Sequence, residues 1–420
     1  MPGKHSLFIF VLLTLTALIS SSSYAQINSS TLTVYLDCRN CNDTFVRSEI
    51  NFVNFVRDQS VAEVQLLITT QGTGGGGRQF TLEFIGLAEY KDIDNKLIFI
   101  SSQTDTEGLR RNKLVKYVKL GLINYLADKD IIDKLEVTFS GSDDDKSVQQ
   151  DVVDPWNGWN FELGASADFS GEQSEGDYRF EGNFRAQRTT DKWKVRVNYN
   201  SSFNNQFFVR EDSQGNDSTS NFTTDEQNLF GLVARSLSDH WTTGAYIDGA
   251  VSSQENLDLQ FGIAPSLEYS VFPYSEFARR SITFRYGILA QQNNYQDTTI
   301  FNKTQEFLFR QELNIQTDFT QPWGGIFGRV QAGNYLHDLS KNSLEVRLRV
   351  NMRISRAFSF FVSGRYERIN DQLSISSEGL SDEDIFLNLK QQATSFKYGG
   401  FVGLEFNFGS IYNNVVNSRF

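Results

Sequence analysis

Cys38 and Cys41, in the stretch DCRNC, are the only two cysteines of the 420-residue chain. In an exported protein a C-x-x-C pair is either a small disulfide or a redox couple. It follows the strand-like TLTVYL and precedes a helical pattern, the position of a thioredoxin-like motif. That fold also uses a cis-proline, and no proline occurs from residue 3 to residue 154. A structural bridge is the expectation. The second group is His337 with Asp338, Ser340 and Asn342. A histidine must hydrogen-bond the hydroxyl it activates, and this spacing does not secure that geometry. A turn role is expected for His337, with a rim-sited hydrolase as the minor alternative and no catalytic residue assigned. No histidine or cysteine cluster suits a metal, and no cofactor is implied. Gly74 to Gly77 precede a strand, whereas a phosphate-cradling loop needs a helix N-terminus; a hairpin turn is the expectation there.

The third group is larger and more telling. In NSLEVRLRVNMRIS, residues 342–355, Leu344, Val346, Leu348, Val350, Met352 and Ile354 alternate with Glu345, Arg347, Arg349, Asn351 and Arg353. Such a segment is an amphipathic strand. In a soluble protein the apolar side meets a core; in a membrane barrel it meets lipid while the charges turn inward. If the second geometry holds, Arg329, Arg347, Arg349, Arg353 and Arg365 gather on one wall. Asp248, Asp258 and Glu268 then lie near the opposite one. Opposed charged walls make the transverse field that small-solute pores use at constrictions. The alternative is a lumen filled by paired charges.

The elements that would hold these residues follow from periodicity. Lys4 and His5 precede an uncharged run from Leu7 to Ile19 and the small-residue end Ser23-Tyr24-Ala25, which reads as a signal peptide over residues 1–25. Its removal takes Lys4 away and moves the formal charge from −12 to −13. That acidity argues against a nucleic-acid partner. Residues 26–140 alternate strand and helix patterns and are expected to form an α+β domain. A helix is read through DTFVRSEINFVNFVRD, a second opens at a Thr104–Glu107 capping box, and KLEVTF is a last strand. Residues 141–155 read as an acidic linker.

From residue 156 to 420 period-two segments recur, twelve in all, among them Leu257-Leu259-Phe261-Ile263 and Ile282-Phe284-Tyr286-Ile288. No later run approaches a helical membrane span. Mean hydropathy is only −0.37, as expected when each strand is half apolar, and 36 Phe with 16 Tyr can supply interfacial girdles. Odd connections such as EDSQGNDSTSNFTTDE and SISSEGLSDEDIFLNLK are long; even ones such as RTTDK, LSDH and SRA are short. This asymmetry is that of an outer-membrane barrel, with the leading domain on the short-turn side. The fold class expected is mainly β: a twelve-stranded antiparallel transmembrane β-barrel preceded by a small α+β periplasmic domain.

NYLHDLSKNSLEV, TQPWGG and the ending FGSIYNNVVNSRF, with DCRNC and INFVNFVRD, resemble an uncharacterised family of Gram-negative outer-membrane β-barrel proteins with an N-terminal periplasmic α/β domain. The resemblance implies the same architecture and location, with outer-membrane lipid and the barrel-assembly machinery as partners; it supplies no catalytic residues. Three uses remain open: a narrow pore or transporter for small solutes, a structural or partner-docking role through residues 26–140, and the rim hydrolase.

Overall fold

The computed structural model describes residues 31–38, 41–127, 129, 131–132, 136, 156–211, 217–355, 358–379, 381–387 and 389–406. The signal peptide, KLEVTF apart from Glu136, the linker 141–155 and the ending FGSIYNNVVNSRF lie outside these residues.

The leading region contains β1 (Thr33–Cys38), α1 (Asp43–Glu49), β2 (Asn54–Val56), β3 (Val64–Gly72), β4 (Arg78–Gly86), β5 (Asp94–Ser101) and α2 (Glu107–Leu126). Its five strands lie in the order β2-β1-β3-β4-β5. Both β2 and β3 run parallel to β1, and the rest is antiparallel. One sheet face carries Val34, Leu36, Leu66, Ile68, Leu82 and Phe84, and it packs against Leu114, Val118, Leu122 and Tyr125 of α2. The approach is close at Gly121, where an added Cβ would sit 2.0 Å from the Phe84 ring. The buried Tyr125 hydroxyl donates to the carbonyl oxygens of Phe84 (3.1 Å) and Ile93 (2.7 Å). Burial, with Asp94 adding to it, pushes this phenol up to about 12.

Two local expectations are corrected. The first helix ends at Glu49, and Asn54–Val56 instead pairs with β1, Tyr35 opposite Val56. Asn51 and Asn54 are poor helix formers, while Phe55 and Val56 suit a pleated surface and fill the core better from a strand. The second helix is capped by Thr106, whose hydroxyl accepts from Leu109 N–H. Asp105 closes the preceding turn by accepting from Ser101 Oγ and Ser102 N–H, both at 2.9 Å.

Lys129, just past α2, ties the helix end to the sheet through Glu63 (2.7 Å) and Glu89 (2.9 Å). Burial lowers its ammonium pKa, but the hydrogen bonds to the two carboxylates outweigh that and leave it above the ordinary lysine range. Hydrogen bonds from Lys129 hold the Glu89 carboxyl below its usual range. A raised lysine stabilises fully below its unfolded value and loses this only at strongly alkaline pH. A depressed carboxylate stabilises above its unfolded value and loses this as pH falls. The bridge is therefore intact from about pH 5 to about pH 10. The domain's melting temperature in the full chain, followed by near-UV circular dichroism, should fall on acidification below that window. Lys129→Met should lower the plateau and shrink this acid slope.

The second sheet holds β6 (Trp159–Gly171), β7 (Glu175–Thr189), β8 (Trp193–Glu211), β9 (Asp217–Ser236), β10 (Trp241–Ser252), β11 (Leu257–Ser270), β12 (Arg280–Tyr295), β13 (Gln305–Gln321), β14 (Gly324–Tyr335), β15 (Asn342–Arg353), β16 (Phe358–Ile369) and β17 (Phe396–Phe406), with the short α3 (Asp382–Phe386) in the last long connection. It is a twelve-stranded antiparallel meander in chain order. The chain is thus mainly β, with a small α+β region in front. Ring closure is not present: among the described residues β6 and β17 each pair on one side only.

Two further expectations change. EDSQGNDSTSNFTTDE is mostly strand, since β8 and β9 run to 19 and 20 residues. That is about twice the roughly ten residues of a tilted bilayer-crossing strand, and the long hairpin is held in part by Phe208 against Phe222. A bulge between Leu257 and Leu259 breaks the alternation at the start of β11. It sets Leu257 opposite Tyr295 and buries it, against the outward position expected.

Candidate lumen site

One face of the large sheet is concave. The Tyr246 hydroxyl on β10 donates to Glu312 Oε2 on β13 at 2.6 Å, with β11 and β12 lying between them. On a flat sheet three strand spacings span about 14 Å, so only strong curvature allows this contact. Arg310 on β13 likewise reaches Ser343 on β15 at 2.7 Å. The register carries this concave face from strand to strand: Glu312 and Arg310 share it with Tyr335, Arg329, Arg347 and Arg365. The convex face carries Phe161, Leu163, Phe169, Phe284, Tyr286, Ile288, Leu348, Val402 and Leu404, all exposed.

On the concave side of β14–β17 the side chains stand in cross-strand rows. One row is Arg329, Arg347, Arg365 and Gly399; the next, towards the short turns, is Phe327, Arg349, Ser363 and Phe401. Like charges directly opposite one another are destabilising. Here Glu345 relieves the pair by binding Arg347 and, at 3.0 Å, Arg365, which also meets Glu367 at 2.8 Å. Arg329 donates to Gln316 at 3.0 Å. Among the described residues Arg349 makes no ion pair or hydrogen bond, and Lys397 no ion pair. Arg347, Arg349, Arg365 and Lys397 line a cavity of about 530 Å³ whose floor is Ser363 and Gly399.

The remaining sequence candidates lie elsewhere. Arg353, at the short-turn end of β15, stacks over the Tyr35 ring of the leading domain at 4.4 Å. Asp248 faces the concave side and accepts from Gln260 at 3.2 Å. Glu268 faces it near the short turns, opposite Arg285, and accepts from Tyr274 at 3.2 Å. Asp258 falls in the β11 bulge and is exposed. The three acids sit at different heights and meet no arginine of the cluster.

Both ends of the concavity are covered. At the long-loop end, the connection between β16 and β17 folds across: Asp371 pairs with Arg310 at 2.7 Å, Ser376 bridges Thr299, and Asn256 donates to Ser374 O at 2.8 Å. Leu373 packs with Leu308 and Tyr335. At the short-turn end, the sheet face of the leading domain not covered by helices sits on the rim. Glu83 meets Arg279 at 3.1 Å, Gln103 contacts Asn160 and Glu162, and Gly74 lies against Thr189. This contact explains why Gln65, Thr81 and Glu83 are buried on a polar sheet face.

No family model matches the chain, and no curated protein matches it. Among solved structures it is similar to one described as "NanC porin structure in rhombohedral crystal form", at 9% identity and a TM-score of 0.27, covering 59% of this chain and 99% of that one. Similarity at that level leaves function to be argued from the residues.

His337 lies against Tyr335 with ring centroids 5.7 Å apart. The Ser340 hydroxyl donates to Asp338 at 2.6 Å, and that hydrogen bond holds the Asp338 carboxyl below its usual range. The group is a turn closed on itself, with the serine committed to the aspartate. Cys38 and Cys41 form a disulfide beside the domain core. Sequence reasoning missed the Arg310–Asp371 pair because its partners lie 61 positions apart. Both side chains are largely buried, and stripping one partner from such a pair costs about 3–5 kcal/mol, less here because Glu312 stays 3.2 Å from Arg310. Asp371→Asn should release the loop and raise trypsin cleavage at Lys390 about tenfold or more, as expected for a loss of about 1.4 kcal/mol or more.

Proposed function

We propose that the chain is an outer-membrane β-barrel protein whose lumen passes small anionic solutes along the β14–β17 wall, with the leading domain as a periplasmic cover over its inner mouth. The observation that carries this reading is the sorting of the two faces. Aromatic and aliphatic side chains fill the convex surface, and the guanidinium groups gather on the concave one. A soluble sheet would not leave so much contiguous apolar surface in water, nor two unguarded strand edges. In lipid those edges pair with each other to close the barrel. Trp193, Trp241, Tyr269 and Trp323, all exposed, stand near the short-turn end where an interfacial girdle belongs. The direction of charge preference follows from Arg349, which makes no ion pair among the described residues, with Lys397, opposite Glu367, lining the same cavity. The test is planar-bilayer recording of the purified full chain under a KCl gradient. Unitary currents whose reversal potential favours chloride support the reading; absence of current, or cation preference, overturns it and leaves the docking role.

A further inference from the structure

The cationic shelf is only half of the hollow. Phe327 stands directly across from Arg349, and Phe401 lies two strands away in the same row with Ser363 between. Phe361 stacks on Phe401 with centroids 6.1 Å apart and planes 11° apart. Its ring lies over Gly403, where an added Cβ would meet it at 2.1 Å. Phe401 is 61% exposed towards the concave side, an aromatic face left open where lysine, arginine, serine and glycine would serve water and ions better. Beside it, an added Cβ at Gly399 would meet nothing within 4 Å. Ser363 and Gly399 therefore form a flat floor, edged by the guanidinium groups of the cavity, with the phenyl ring of Phe401 next in the row beyond Ser363.

We propose that this hollow is a binding site for small planar aromatic carboxylates. The carboxylate sits on Arg349, whose fork of N–H donors is uncommitted among the described residues and fits two oxygens, and the ring lies over Ser363 and Gly399 against Phe401. A hydrated ion such as chloride or acetate uses the cationic edge alone. This deepens the permeation reading by naming the substrate class, and it rests on the same wall being the inner one.

The test is isothermal titration of benzoate and of acetate into the full chain in detergent micelles, which needs no current. Benzoate is expected to bind saturably and about tenfold tighter than acetate, the scale of one good aromatic contact. Arg349→Gln should weaken both ligands, while Phe401→Leu should bring benzoate to the level of acetate without changing acetate. Gly399→Phe, which fills open space, should abolish both with the circular-dichroism melt unchanged. Benzoate binding no tighter than acetate, or intact binding in Gly399→Phe, overturns the proposal. Benzoate binding in a protein that passes no current keeps this site and removes permeation; chloride current without benzoate preference does the reverse.

Discussion

Replacing Arg349 and Arg365 together by glutamate should turn an anion-preferring pore into a cation-preferring one. The two guanidinium groups edge the same cavity, so the pair of substitutions changes its local charge by four. Two unit charges 4 Å apart interact by about 1 kcal/mol in water and about 4 kcal/mol at the effective dielectric of a protein surface. Since about 1.4 kcal/mol is a factor of ten, the chloride-to-potassium permeability ratio should fall by about tenfold or more. Recording at low ionic strength matters, because the Debye length is about 10 Å at 0.1 M salt and about 30 Å at 0.01 M. Glu345 and Glu367 would then face a new carboxylate where they held Arg365, so the double variant carries a folding risk. Arg349→Gln alone avoids it, since Arg349 has no partner to strand among the described residues, and should lower the ratio in the same direction by a smaller factor. Lys192→Glu, an exposed change in the turn between β7 and β8 outside the lumen, should leave the ratio unaltered. An unaltered ratio in Arg349→Gln and in the double variant would mean that ions do not travel along this wall.

The charged wall was legible in the sequence because alternation with period two fixes which side chains share a face, and β15 keeps it without a break over 12 residues. Cross-strand neighbours were not legible. Nothing in the chain says that Phe327 stands opposite Arg349, since register is set by the turns and by every strand between. The bulge at Leu257 shows how one extra residue defeats the pattern: it turns that leucine inward and leaves Asp258 off the wall assigned to it. The long polar ends of β8 and β9 were hidden for another reason. Ser, Thr and Asn in a row look like a loop to composition, and only pairing with a neighbouring strand makes them a sheet. Least legible were contacts between distant segments. Glu83 of β4 and Arg279 of the turn before β12 each look like an ordinary exposed charge until the domain is seated on the rim.

That seating leads to the second large effect expected. The domain touches the start of β6, the end of β7, the turn between β11 and β12, and the end of β15. These points are spread around the rim, so on the proposed permeation reading a domain held at all four would block the inner mouth, and solutes would pass only when it tilts away. Glu83 is nearly buried and Arg279 about 39% exposed at the side chain, which makes the pair worth about 1 kcal/mol after screening, a fivefold shift in an equilibrium. Arg353 over Tyr35 adds a cation–π contact of about 0.5–2 kcal/mol. Glu83→Arg sets two cations against each other with Lys96 beside them, and it should raise open probability in bilayer recordings about fivefold or more. Arg279→Glu should do the same by placing two carboxylates together. The exchanged pair, Glu83→Arg with Arg279→Glu, should return open probability towards the parent value, because the attraction is restored with its sign reversed. Arg353→Ala should add to either single variant, since it acts at a separate point of the rim. If the single variants and the exchanged pair all conduct like the parent chain, the domain is a tether beside an open mouth, and solute flow must be limited at the other end, where Asp371 holds the long loop on Arg310.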